Sequence, residues 1–165
     1  MAGTLVLGLG DALRSDDGAG VHAAFRLRES AGDARQMRIL DAATLGFPLL
    51  PAFDGADGLI VLEAACSGAE PGTLVVHEGV ACDRFASRPG LGPRELRLAQ
   101  LLDSARLARL LPAQRALISI EPGSVDWGLA LTPAVARALA ACVARVLELV
   151  DRWGTPPGST ERHVA

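Results

Sequence analysis

Short apolar segments alternate with segments of helical pattern along the chain, and this alternation constrains the fold more than any other feature. The first apolar segment leads through a glycine turn directly into a helix. Alternating strands and helices build a three-layer α/β sandwich, in which helices flank a mostly parallel sheet. We therefore predict a five-stranded sheet from Leu5–Gly8, Met37–Leu40, Leu59–Leu62, Thr73–Val76 and Ala116–Ile120.

The segments between the first strands predict one regular helix and one irregular connection. The helix is predicted over Gly18–Glu29, where Val21, Phe25 and Leu27 lie on one broad side. Residues 78–93 contain three glycines and two prolines, which are typical of an irregular loop.

Three more helical segments follow from apolar spacing and from proline positions. Leu45–Phe53 contains two prolines and predicts a short or broken helix, whereas Pro93–Leu110 predicts a regular one. Thr132 and Pro133 are a favourable cap and first position for the last helix. The predicted buried stripe of that helix comprises Val135, Leu139, Val143, Val146 and Val150.

The composition is that of an ordinary globular protein and excludes several classes. The 165 residues carry a net charge of −3, so no basic surplus indicates nucleic-acid binding. No apolar segment reaches the roughly 20 residues that span a bilayer, and no secretory signal is recognisable at the N-terminus. We expect a cytoplasmic protein with one domain over residues 1–153 and a flexible tail over residues 154–165.

Acidic residues follow three of the predicted strands. Asp11, Asp16 and Asp17 come after the first strand, Asp41 ends the second, and Glu63 directly follows the third. Ligands of open α/β sheets bind beyond the carboxyl ends of the strands, and oxygen ligands suit a divalent cation. Each Asp also has an ordinary structural role available, as a turn former or a helix cap. Glu63 has no such role, because Glu is a poor turn residue.

Other catalytic motifs do not fit. The Gly8–Gly10 pair begins like a dinucleotide fingerprint, but Leu13 occupies the position of its third glycine. The three cysteines are Cys66, Cys82 and Cys142, and their odd number without a C-x-x-C pair disfavours disulfides and structural zinc. Cys66 follows Glu63 closely but has no neighbouring histidine that would activate it as a nucleophile.

The chain resembles the hydrogenase maturation endopeptidases, which process the large subunit of [NiFe] hydrogenases. The resemblance begins with residues 5–21, LVLGLGDALRSDDGAGV, and continues through residues 40–46, LDAATLG. It extends through LIVLEAA at 59–65, EPGT at 70–73, ISIEP at 118–122 and GLALTP at 128–133. These motifs run in the family's order over nearly the whole chain.

The resemblance implies an enzyme that removes a short C-terminal extension from the large-subunit precursor after nickel insertion. The nickel belongs to the precursor, and no organic cofactor is implied. By this resemblance Asp17 and Glu63 contact the metal and carry catalysis, while Asp16 and Asp41 support these two residues without contacting the metal. The implied partner is the precursor, and members of this kind are usually monomeric.

Three departures from the family pattern leave a second function open. The family has Glu at the position of Asp17 and Asp at that of Glu63. Its metal-binding histidine has no counterpart in residues 86–94, ASRPGLGPR, and the histidines present are His22, His77 and His163. Ala42 and Ala43 replace the family's Gly-Gly pair. A catalytically impaired relative that binds the precursor as a checkpoint is therefore the alternative, and an α/β domain with a structural cation and an unrelated small substrate is a third reading.

Overall fold

A computed structural model describes residues 3–31, 37–42, 47–89 and 93–154. A single five-stranded sheet organises these residues, with two 3₁₀ helices, Ser15–Gly18 and Phe47–Phe53, in its connections. The strands are β1 (Gly3–Gly8), β2 (Met37–Asp41), β3 (Ala56–Ala64), β4 (Leu74–Glu78) and β5 (Gln114–Ile120). The helices are α1 (Ala19–Ala31), α2 (Val80–Ala86), α3 (Pro93–Leu107) and α4 (Pro133–Gly154).

The strand order is β2-β1-β3-β5-β4, and only β4 is antiparallel to its neighbour. One face of the sheet packs against α1 and α4, and the other packs against α2, α3 and the second 3₁₀ helix. Central strands β1 and β3 are buried on both faces, which is why their sequences are continuously apolar. The predicted three-layer α/β sandwich with a mostly parallel sheet is confirmed.

The predicted loop over residues 78–93 is wrong, because it contains α2. Its seven residues, Val80–Ala86, include neither glycine nor proline, and Cys82 and Ala86 are buried against the sheet. The glycines and prolines that indicated a loop all lie outside the helix, beginning with Gly79. In the sequence they flank the helix without interrupting it.

The predicted buried side of α1 is wrong at Phe25, which is 57% exposed. The buried residues of this helix are mostly small, and Gly20 and Ala24 face the sheet. A Cβ at Gly20 would lie 2.1 Å from the carbonyl oxygen of Leu62, so the helix and β3 approach backbone to backbone. Phe25 lies two residues before the buried Leu27 and about 160° from it around the helix, so it faces solvent while Leu27 faces the sheet.

The remaining boundaries differ by a few residues. The helix predicted to reach Leu110 ends at Leu107, and Arg109 then adopts a positive φ of 58°. The last helix begins at Pro133 as predicted, and its stripe is buried except for the half-buried Val150. The predicted tail beyond Gly154 and the position of Ala43 lie outside the described residues. No helix in the described part of the chain is both long and apolar enough to cross a membrane.

Candidate functional site

The candidate site lies at the rim where β1 and β3 end. The chain leaves β1 at Leu9, whose amide donates to the carbonyl of Leu62 at 2.8 Å, and then turns back towards α1. At Gly10 the φ angle is +132°, and a Cβ there would lie 1.9 Å from the carbonyl oxygen of Asp17. Only glycine fits this crossing, which holds the acidic segment 11–17 against the end of β3.

Asp17 is positioned by the turn that precedes it. The residue is 9% exposed, and its Oδ2 atom accepts a hydrogen bond from the Asp11 amide at 3.1 Å. Asp11 in turn accepts from the Leu13 amide at 2.9 Å, which is the ordinary turn-forming role of an aspartate. Asp11 and Asp17 therefore have different roles: Asp11 shapes the turn, and the turn holds Asp17 in place.

Glu63 lies near the end of β3 and is 1% exposed. Its side chain lies on the α2–α3 face of the sheet, the side that Val61 shares, and it pairs in register with Ser119 of β5. The first 3₁₀ helix, which carries Asp17, contacts β3. The two carboxylates predicted as metal ligands therefore belong to adjoining parts of one rim.

Cys82 of α2 lies near Glu63 but does not supply a thiolate. Burial, together with the charges of Asp83 and Glu63 and against the opposing charge of Arg115, raises the pKa of the Cys82 thiol to about 12. The thiol remains protonated at neutral pH, so it is a poor ligand for a metal. Cys66 is exposed, and Cys142 is buried within α4; neither is in a disulfide.

Asp16 ties two distant loops together. The residue has no exposed surface, and its two oxygens accept four hydrogen bonds. The donors are the Gly123 and Ser124 amides at 2.8 and 3.1 Å and the Thr132 amide and hydroxyl, both at 2.7 Å. Burial alone would raise the pKa of Asp16, but these hydrogen bonds lower it below its usual value. The loop 121–132 between β5 and α4 is thereby fixed beside Asp17.

Glu121 is a second such carboxylate, which was not among the acids predicted from the sequence. It directly follows β5, is 7% exposed, and accepts from the Ser67 amide and hydroxyl at 2.7 Å. The Gly68 amide donates to it as well, at 3.3 Å. Glu121 thus fixes the loop that follows β3. The sequence feature that could have identified Glu121 is the same one that identified Glu63: an acidic residue directly after an apolar strand.

Asp41 is not brought to Glu63 by the sheet. It pairs in register with Gly8, which pairs with Leu62. Because neighbouring residues of a strand point to opposite faces, Asp41 lies on the α1–α4 face and Glu63 on the other. Asp41 is also exposed and is separated from β3 by β1.

The described histidines do not complete a metal site. His77 stacks on Phe85 with 4.1 Å between ring centroids, and burial together with the Arg88 charge lowers its pKa. His22 lies on α1, and His163 is outside the described residues. Within the described ranges, no group of three or more His, Cys, Asp or Glu side chains is arranged to hold a metal ion. The rim therefore offers two carboxylates, which make only part of a coordination sphere.

Glu121 is expected to make the free energy of unfolding of the protein fall at acid pH. Burial would raise the pKa of Glu121, but hydrogen bonds from Ser67 and neighbouring amides lower it below its usual value of 4.5. Such a carboxylate stabilises the folded state above its unfolded-state pKa, and this contribution is lost as pH falls through the folded-state pKa. We expect the free energy of unfolding to decrease below about pH 4.5. Urea denaturation at several pH values should show a smaller decrease for Glu121→Gln. An equal decrease in both proteins would contradict this role.

Three comparisons relate the chain to known proteins. A family model described as hydrogenase maturation protease matches residues 21–149. The hydrogenase expression/formation protein HupD of Rhodobacter capsulatus is 32% identical over 151 residues, which cover 91% of this chain and 72% of that protein. The hydrogenase 2 maturation protease of Escherichia coli is 28% identical, with 91% and 92% of the two chains covered.

The fold has a counterpart of similar extent among solved structures. The hydrogenase maturating endopeptidase HybD from E. coli superposes with a TM-score of 0.83 at 26% identity, covering 92% of this chain and 94% of that chain.

Proposed function

Because the chain belongs to the hydrogenase maturation protease family, we propose that it removes the C-terminal extension of a [NiFe]-hydrogenase large-subunit precursor after nickel insertion. The observation that carries this proposal is the pair of buried carboxylates, Asp17 in the first 3₁₀ helix and Glu63 near the end of β3, which that helix contacts. Carboxylate oxygens can coordinate a divalent cation, and in this proposal that cation is the nickel held by the precursor.

Each carboxylate has a role in this proposal. Asp17 and Glu63 contact the nickel of the precursor and so place the scissile peptide at the rim. One of them also accepts a proton from the attacking water. The metal supplies polarisation of the peptide carbonyl. Asp16 keeps Asp17 in place through the turn they share. Asp41 remains a predicted supporting residue, which its position on the other face does not favour.

The type of metal ligand at the rim explains why the nickel would belong to the substrate. Carboxylates are hard ligands, whereas imidazole and thiolate suit nickel better. Two carboxylates alone would hold free nickel weakly, so the cysteines of the precursor would provide most of the coordination. We propose that the protein carries no organic cofactor and acts as a cytoplasmic monomer, with residues 1–153 as one domain and the rest as a flexible tail.

The test is mass spectrometry of a large-subunit precursor from the same organism after incubation with this protein. We expect a discrete C-terminal peptide to be released from nickel-loaded precursor and not from nickel-free precursor. Release from both forms would contradict nickel dependence. An intact nickel-loaded precursor, with a hydrogenase-matched protease as positive control, would contradict the peptidase assignment.

A checkpoint protein is the alternative, and one specific observation favours it. Residues 86–94 contain no histidine, although the family places a metal ligand there. A checkpoint protein would co-purify with the nickel-loaded precursor and leave its mass unchanged. The same incubation therefore distinguishes the two functions.

A further inference from the structure

An exposed apolar patch lies beside the candidate site. We define it by Leu13, Trp127 and Leu129, whose side chains are 55%, 80% and 72% exposed. Leu13 belongs to the acidic turn that holds Asp17, and the other two belong to the loop after β5. Large apolar side chains exposed together on one surface mark interaction sites more often than chance exposure does.

Backbone hydrogen bonds join the two halves of the patch. The Gly128 amide donates to the Leu13 carbonyl at 2.9 Å, and the Ser15 amide donates to the Gly128 carbonyl at 2.8 Å. Trp127 and Leu129 are the chain neighbours of Gly128, so they lie directly beside Leu13. The hydrogen bonds of Asp16 to the same loop fix this arrangement. The backbone that carries the patch is therefore held in place, and from Leu13 it continues directly to Asp17.

The size of the patch indicates an anchor within a larger contact. Three side chains of this type expose about 400 Å², about half of the roughly 800 Å² that each partner buries in a stable interface. A partner that docks here must also cover neighbouring surface, and the adjoining surface is the rim that carries Asp17. Tryptophan is enriched among the residues that dominate binding energy.

We propose that this patch docks the hydrogenase large-subunit precursor through an apolar surface next to the segment to be cut. The inference rests on the proposed function, and it assigns substrate recognition to residues outside the metal-contacting pair. Two carboxylates give little affinity of their own, so a separate docking surface would hold the substrate. An anionic membrane is a poor occupant, because Arg14 is the only cation in residues 11–17 and 121–132.

The test compares Trp127→Ala and Leu129→Ala with a matched control, Leu107→Ala. Leu107 is 87% exposed at the end of α3 on the far side of the sheet from the patch. With nickel-loaded precursor we expect KM for the Trp127 variant to rise about tenfold or more, with kcat nearly unchanged. The control should match the wild-type protein. Binding is also measured with each substitution combined with Glu63→Gln, so that the precursor is not consumed.

The outcomes separate this inference from the proposed function. If wild-type protein cleaves and Trp127→Ala keeps its KM and affinity, the docking inference is wrong while the proposed function stands. If neither the wild-type protein nor any variant cleaves, the peptidase assignment fails, but the binding measurement still tests docking. Weaker precursor binding by the Trp127 variant than by the wild-type protein then supports docking, and equal binding overturns it. A wild-type dimer that Trp127→Ala converts to a monomer would assign the patch to self-association and overturn the inference.

Discussion

Replacing Glu63 by Gln is expected to slow precursor cleavage by at least about a hundredfold, because general-base and charge-stabilising groups contribute about that much or more. The amide keeps the shape of the side chain but can neither accept a proton from water nor offer a negative charge to nickel. Glu63 is buried at the end of a central strand, so no other side chain is expected to enter its place. Single-turnover cleavage followed by mass spectrometry measures the effect.

Asp41→Asn is the matched control for this substitution. Both residues are carboxylates at strand ends, but Asp41 is exposed on the opposite face of the sheet. We expect the Asn variant to retain activity within about tenfold, a loss smaller than that of a group in the reaction itself. Undiminished cleavage by Glu63→Gln would refute the catalytic role of Glu63. A large loss in Asp41→Asn would restore the supporting role that the sequence suggested.

Replacing Asp16 by Ala is expected to lower the free energy of unfolding by about 3 kcal/mol or more, since several buried donors lose their acceptor at once. The amides of Gly123, Ser124 and Thr132 and the Thr132 hydroxyl would all be left without this carboxylate. For a domain of this size, such a loss lowers the midpoint of thermal unfolding by about 10 °C. Thermal and urea unfolding, each followed by circular dichroism, measure the change.

Asp126→Ala is the control for the loss of an acid in the same loop. Asp126 is exposed, and its carboxylate accepts only from the nearby Ser124 hydroxyl among the hydrogen bonds described, at 3.2 Å. We expect a change within about 0.5 kcal/mol, as for most surface substitutions. If Asp16→Ala is no more destabilising than this control, Asp16 does not hold the loop.

The sequence was sufficient for the sheet because its central strands are buried on both faces. Continuous apolar segments such as Leu59–Leu62 predict a central parallel strand, and their order along the chain predicts the flanking helices. The α2 helix was missed because it is short and because the glycines and prolines that flank it in the sequence indicated a loop. Phe25 was misplaced because residues two apart in a helix, such as Phe25 and Leu27, lie about 160° apart around its axis and do not share one side.

The candidate site was predictable only in part, for a reason that Asp16 illustrates. Its hydrogen-bond partners lie 107 to 116 residues further along the chain, so no local pattern could reveal them. Local reasoning recognised the acids that follow strands, and the family resemblance selected Asp17 and Glu63 among them. Glu121 carries the same local signal, but its hydrogen bonds from Ser67 and Gly68 join residues 53 to 54 positions apart, which no local pattern reveals.

The hydrogen bonds of Asp16 also bear on when the turn around Asp17 becomes ordered during protein synthesis. The turn before α1 is held by residues 123–132, which the ribosome makes only after all five strands. Long-range contacts of this kind form late in folding, because a large loop must close first. We expect an emerging chain that lacks these residues to leave the turn around Asp17 unfixed. The cleavage that we propose would then require residues 123–132, so a chain truncated before them could not process a precursor.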